Sequence, residues 1–136
     1  VEALGACGGP ENAEAIAAVA DDPSAPAPVV VSALRALASL GAPRAGAIAR
    51  AAGHGDPEVV KEAVLAAARL PGPEGEAILR AAASSPRWDV RQAAARAMAE
   101  RRDPSLAAEA SRLATAEPDP LVARAFAEAA RALGGR

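Results

Sequence analysis

The sequence is short of large side chains. It contains one tryptophan, one phenylalanine and no tyrosine among 136 residues, although 51% of the residues are apolar. Most of that apolar content is alanine, the strongest helix former because it loses no side-chain entropy in a helix. Burying a methyl group removes little apolar area from water, so alanine-rich helices must stack closely and in number before burial offsets backbone ordering. We therefore expect an all-α protein built as an array of helices.

The scarcity of cysteine and histidine limits the chemistry. A single cysteine, Cys7, excludes an internal disulfide and a cysteine-based zinc site. The only histidine, His54, lies in the turn GHGD, where a solvated or capping side chain is the usual outcome. The seven serines lie at predicted turns, caps and helix surfaces, and GACGG lacks the strand and the Lys-Ser/Thr of a phosphate-binding loop. We predict no catalytic residues, no cofactor and no metal site, and hence no enzyme activity.

The chain also lacks an excess of basic residues. Its net charge is −2, with five acids against one arginine in residues 1–41, so nucleic acid is not an expected partner. No stretch is typical of a transmembrane span or a signal peptide, and we expect a cytoplasmic protein without membrane contact. Since the chain opens on Val1, in what reads as the end of a helix, we interpret it as a monomeric fragment of a longer protein.

A repeat of about thirty residues organises the chain. Four valines recur at steps of 30, 31 and 32 residues: Val29, Val59, Val90 and Val122. Mostly apolar residues follow each valine by four, eight and eleven positions, offsets that lie on one face of an α-helix. Prolines at first-turn positions open a second, shorter set of helices: Pro10, Pro43, Pro73 and Pro104. Each unit is therefore a helix A, a turn, a helix B and a turn.

These signals divide residues 1–136 into one domain of stacked helix pairs. We place a partial repeat at residues 1–8 and four repeats at 10–41, 43–72, 73–103 and 104–134. Three prolines between Asp21 and Pro28 predict an extended connection inside the first repeat. Asp56 and Asp119 precede prolines at the starts of B helices, where a carboxylate can cap free N–H groups.

The B-helix segments DPEVVKEAVLAAARLPG, DVRQAAARAMA and DPLVARAFAEAARALGG share one pattern. They resemble the short HEAT-like repeats of the phycobilisome-lyase type, in which the second helix begins D-P-x-V-R and ends near A-L-G. The resemblance covers residues 10–136 and implies a right-handed α-solenoid with B helices on the concave side and A helices on the convex side. It also implies that Arg91, at the usual arginine position, pairs with an acid of a neighbouring repeat; Asp56 and Asp119 are the candidates.

The third repeat departs from this pattern. Arg87-Trp88 replace Asp-Pro, and Arg101-Arg102 replace Leu-Gly. Five arginines lie within sixteen residues around the only tryptophan: Arg87, Arg91, Arg96, Arg101 and Arg102. Tryptophan and arginine are the residue types most enriched at interface hot spots. Trp88 either packs over the adjacent A helix or contacts a protein partner. A third alternative is nucleic acid, since some HEAT-like DNA glycosylases combine Trp, Asp and Arg on one face, but the net acidic chain disfavours it.

An apolar stripe provides a second candidate surface. It comprises the positions one and five beyond the valine in the first two repeats: Val30, Leu34, Val60 and Val64. The stripe flanks the core face. Either loop 21–28 or the neighbouring helices bury it, or it forms an exposed groove suited to a partner's helix or extended segment.

A repeat architecture without a catalytic constellation favours one function. We expect a non-catalytic protein–protein interaction or scaffold module that binds its partner through the B-helix surface, with the arginines, Trp88 and the apolar stripe as candidate contacts. Two alternatives stay open: a bilin-lyase-like, chromophore-handling subunit, suggested by the repeat subtype, and a purely structural segment of a longer solenoid.

Overall fold

Alternating A and B helices make up most of the chain. The computed structural model describes residues 10–39 and 44–134, with side chains from residue 12 onward. The helices are α1 (Pro10–Asp21), α2 (Ala27–Ser39), α3 (Ala45–Ala52), α4 (Pro57–Ala67), α5 (Pro73–Ala83), α6 (Trp88–Arg101), α7 (Ala107–Ala116) and α8 (Pro120–Gly134). These two ranges contain no β-strand. The partial repeat at residues 1–8 with Cys7, and residues 40–43 with Pro43, lie outside the described residues.

The helices stack as pairs. Each odd-numbered A helix packs on the even-numbered B helix that follows it, and each B helix packs on the next B helix, from α2 through α4 and α6 to α8. The A helices α1, α3 and α5 also contact one another in sequence. Every repeat therefore contacts its own partner helix and its neighbours in the chain, which confirms the prediction of an all-α solenoid.

The core follows the predicted stripe. Val59, Val90 and Val122 are buried, and the residues four positions beyond the valines are buried in all four repeats: Ala33, Ala63, Ala94 and Phe126. In the first repeat the valine itself is an exception, because Val29 is half-buried and the next residue, Val30, is buried. Alanine supplies much of this core, so the helices must approach closely to bury it.

Aspartate caps begin two of the B helices, as predicted. The Asp56 carboxylate accepts a hydrogen bond from the backbone N–H of Glu58 at 2.8 Å. The Asp119 carboxylate accepts one from the N–H of Leu121, also at 2.8 Å. Each bond satisfies an N–H group that has no partner inside the helix.

The predicted proline loop is shorter than expected. Helix α1 continues to Asp21 and α2 begins at Ala27, so the connection spans only residues 22–26. Pro28 lies in the first turn of α2, where its missing N–H has no intrahelical acceptor to lose. The carboxylate of Asp22 accepts hydrogen bonds from the hydroxyl and the N–H of Ser24, which lower the pKa of Asp22. This turn ends α1 without extended chain.

Candidate partner-binding surface

The outer faces of three successive B helices form a groove of about 670 Å³. Helix α2 contributes Val31 and Arg35, α4 contributes Lys61 and Leu65, and α6 contributes Trp88 and Arg96. These residues lie on the side of each helix that faces away from its A helix, because their offsets from the valine fall between the core positions. We call this surface the B-helix groove.

Trp88 stands at the first residue of α6 and borders the groove. It is 52% exposed, so it is not part of the buried core. Its indole N–H has no hydrogen-bond acceptor among the residues that the structure describes. Contact of Trp88 with a protein partner stays a prediction.

The charged side chains of the groove are largely paired with one another. Arg35 lies 2.9 Å from Glu62. Lys61 lies 2.7 Å from Glu58 and 3.3 Å from Asp89. The hydrogen bond to Glu58, followed by that to Asp89, raises the pKa of Lys61 above its usual value. In all, four acids and three cations line the groove.

Arg96 is the exception in the groove. Its side chain is exposed, and in the described part of the chain it has no carboxylate or carbonyl partner. On the neighbouring helix α8, the carboxylate at the equivalent repeat position, Glu128, pairs with Arg124 of its own helix at 3.2 Å. Arg96 therefore presents a guanidinium without an ion pair in the same groove as the half-buried side chain of Leu65.

Arg87 takes the helix-start position that Asp56 has in the second repeat, but its side chain caps no N–H group. Instead its guanidinium donates to both oxygens of Asp89 at 3.1 Å. That contact, followed by the one from Lys61, lowers the pKa of Asp89. Arg87 is 55% exposed and is joined to the groove through Asp89, which lines it.

Arg91 forms the inter-repeat ion pair that the resemblance implied, but with another acid. Its guanidinium lies 2.9 Å from Glu117, at the end of α7, rather than next to Asp56 or Asp119. It also donates to the carbonyl of Ser85 at 2.9 Å. The side chains of Arg91 and Glu117 are 15% and 4% exposed, so Arg91 joins two repeats and offers little surface to a partner.

Arg101 is also structural rather than exposed for binding. Its guanidinium donates to the carbonyls of Leu70 at 2.6 Å, Gly72 at 2.8 Å and Ala67 at 3.1 Å. These are carbonyls that follow or end α4, where a cation also meets the negative end of the helix dipole. A Cβ at Gly75 would collide with the Arg101 guanidinium and with the carbonyl of Leu70, so the glycine makes room for this cap.

Arg102 ends α6 in the left-handed conformation, with φ 57° and ψ 32°. Glycine adopts this conformation without strain, whereas a residue with a Cβ does so at a cost. Its side chain is exposed. In place of Leu-Gly, the third repeat thus has Arg101, which caps the end of α4, and Arg102, which ends α6 in a strained conformation.

Comparison with known families agrees with this architecture. The sequence model of the family described as HEAT repeats matches residues 45–133, well over half of the chain. The chain belongs to the HEAT-repeat family. The match covers α3 to α8, and the first helix pair, α1 and α2, packs onto these HEAT repeats in the same way. No curated protein and no solved structure matches the chain significantly. HEAT repeats are commonly protein-interaction or scaffold modules and are typically non-catalytic.

Burial removes most of the apolar stripe from the candidate surface. Val30, Leu34 and Val64 are 2%, 2% and 1% exposed, so the prediction that they could contact a partner is wrong. All three side chains belong to the buried core, in which alanine is the commonest residue. Val60 is half-buried and borders a separate groove of about 560 Å³ between α3 and α5. The stripe is thus mainly inter-repeat core.

Two features escaped the sequence reasoning. Leu121 is 66% exposed in the first turn of α8, where the second and third HEAT repeats carry Glu58 and Asp89. Aligning the four repeats at that position would have shown the apolar replacement.

Ion pairs also join successive repeats: Arg50–Asp21 at 2.6 Å, Arg35–Glu62 at 2.9 Å and Arg80–Glu109 at 2.7 Å. Their partners are 27 to 29 residues apart, close to the repeat length, which is the signal that could have found them.

The described residues offer no grouping for metal chemistry. Within them, three or more His, Cys, Asp or Glu side chains do not gather anywhere in a way that could hold a metal ion. The Nδ1 atom of His54 accepts a hydrogen bond from the N–H of Asp56 at 2.9 Å, the turn role expected of it. The helices at 10–39 and 44–134 include none with the length and apolar character needed to cross a membrane.

Proposed function

We propose that this HEAT-repeat chain is a non-catalytic module that binds a protein partner in the B-helix groove. The observation that carries the proposal is the exposure of Trp88, which leaves about half of the largest apolar side chain in contact with water. A protein whose core is built from alanine would gain stability by burying that side chain. Exposed tryptophan beside arginine is the composition of binding hot spots.

The surroundings of Trp88 support the same surface. The groove is concave, is lined by α2, α4 and α6 together, and carries the unpaired Arg96. Arg87, next to Trp88 in the chain, has an exposed side chain that pairs with Asp89 of the groove. Arg91 and Arg101 hold the adjacent repeats together, so the groove rests on a fixed scaffold. In this proposal the module acts as a monomer in the cytoplasm; a concentration-dependent dimer in sedimentation analysis would contradict the monomer.

The test is a capture experiment with matched variants of the purified chain. The baits are the wild type, a Trp88→Ala/Arg96→Ala double variant, and Arg112→Ala as a control. Arg112 is 70% exposed on α7 and does not line the groove. We expect a partner that the wild type and the control retain and the double variant loses, followed by direct binding of that purified partner with the same pattern. Retention of every captured protein by the double variant would refute the proposed surface.

A further inference from the structure

The charges of the B-helix groove define what a partner must supply. Four acids line it. Glu58, Glu62 and Asp89 each lie within 3.3 Å of a cation of this chain, and the Asp56 carboxylate accepts the N–H of Glu58. Of the cations that line the groove, Arg96 alone forms no ion pair with a described residue. An incoming carboxylate therefore gains a charge-assisted hydrogen bond at Arg96 without displacing an existing ion pair.

The apolar side chain of Trp88 lies at a fixed distance from the charge of Arg96, because both residues belong to α6. Trp88 and Arg96 are eight residues apart on α6, which at 1.5 Å per residue separates them by about 12 Å along the helix. The half-buried Leu65 lies in the same groove. In an extended segment, about 3.3 Å per residue, the same distance corresponds to about three or four residues.

Two polar side chains in the groove suit an extended segment better than a helix. Ser32 on α2 and Gln92 on α6 both line the groove, and neither side chain has a hydrogen-bond partner within the described ranges. An extended segment brings unpaired backbone N–H and C=O groups that need such partners, while a helix satisfies its own. Gln92 can both donate and accept, and Ser32 can do the same.

We propose that the B-helix groove binds an extended, acidic segment of a partner protein, with its carboxylate on Arg96 and an aromatic, aliphatic or proline side chain, about three or four positions away, on Trp88. This inference rests on the proposed function, since it names the chemistry of the partner for the same groove. The proposed occupant of the groove is a peptide segment. A nucleic acid would also bring anions to Arg96, but its phosphate on every nucleotide would meet the four carboxylates that line the same groove, whereas the peptide needs only one carboxylate.

The test is selection of short random peptides displayed on phage against the immobilised chain, with the Arg96→Glu variant selected in parallel. We expect the wild type to enrich peptides that carry Asp or Glu about three or four positions from an apolar residue, and Arg96→Glu to enrich Lys or Arg at that position. A synthetic acidic peptide from the selection should bind Arg96→Ala about tenfold more weakly than the wild type. The Arg112→Glu variant, altered outside the groove, should select the same peptides as the wild type.

The outcomes separate this inference from the proposed function. One outcome is that the selected peptides depend on Trp88 but carry no acidic residue. Another is that they carry one, and that Arg96→Glu selects the same acidic residue. Either outcome would overturn the acidic partner, while the proposed binding surface would stand. Absence of any peptide that depends on Trp88 or Arg96 would overturn both. Binding of a single-stranded oligonucleotide that is lost in Arg96→Glu, with no peptide enriched, would replace the peptide by nucleic acid.

Discussion

Replacing Arg91 with methionine removes the cation from the most buried ion pair at the boundary between the third and fourth repeats. Glu117 is 4% exposed and accepts from Arg91 at 2.9 to 3.1 Å. Without Arg91 its carboxylate keeps one backbone donor, the N–H of Asp119 at 3.2 Å, and the carbonyl of Ser85 also loses a donor. Leaving one charge of a buried pair uncompensated costs about 3 kcal/mol, so we expect the free energy of unfolding to fall by that amount.

The assay is urea unfolding followed by circular dichroism, with the free energy obtained by linear extrapolation. A second variant, Arg91→Met/Glu117→Met, removes both charges, and we expect its stability to lie within about 1 kcal/mol of the wild type. The control is Arg124→Met. Arg124 pairs with Glu128 at 3.2 Å, but the two side chains are 77% and 57% exposed, so the loss should stay below about 0.5 kcal/mol.

The result that would refute this reasoning is equal stability of the single Arg91 variant and the Arg124 control. The double variant provides a second check. If it is as unstable as the single Arg91 variant, the penalty comes from lost packing of the arginine stem and not from an uncompensated Glu117 carboxylate.

Three further substitutions test other parts of the third repeat. Arg102→Gly should raise the free energy of unfolding by about 1 kcal/mol, because φ is 57° there; an unchanged urea midpoint would contradict the strain. Gly75→Ala should lower it by about 2 kcal/mol, because the new Cβ collides with the Arg101 cap; thermal melts check this, and a stabilised variant would contradict it. Asp89→Asn should destabilise by about 1 kcal/mol at pH 7. Since contact with Arg87 lowers the pKa of Asp89, this contribution is fully present above the unfolded pKa of about 3.9 and is lost as pH falls from there through the lower folded-state pKa. A difference in melting temperature that does not shrink between pH 7 and pH 3 would contradict the assignment.

The helix pairs could be predicted from the sequence because their signals are local. The valine period, the prolines of the first turns and the capping Asp56 and Asp119 each act within a few residues of where they stand. Burial of Val59, Val90 and Val122 follows from the same helical offsets. The family match to HEAT repeats rests on the same pattern.

The roles of the arginines could not be predicted because they depend on contacts between repeats. Arg101 occupies a core-facing column in the repeat alignment, yet its long side chain reaches carbonyls 29 to 34 residues earlier. Arg91 was expected to pair with a cap residue. It pairs with Glu117 at the end of α7 instead, while the Asp119 carboxylate accepts N–H groups at the start of α8. The arginines of the third repeat thus have different roles: some hold repeats together and others are exposed, depending on which groups each long side chain can reach.

The most direct measurement of the central claim uses Trp88 itself. Trp88 is the only tryptophan in the chain, so the fluorescence of the protein excited at the indole reports its environment alone. On titration with a tryptophan-free acidic peptide from the selection, we expect the emission to shift to shorter wavelength as the exposed indole is covered, and the shift to disappear with Arg96→Glu. Binding of that peptide without any change in the emission of Trp88 would contradict the account.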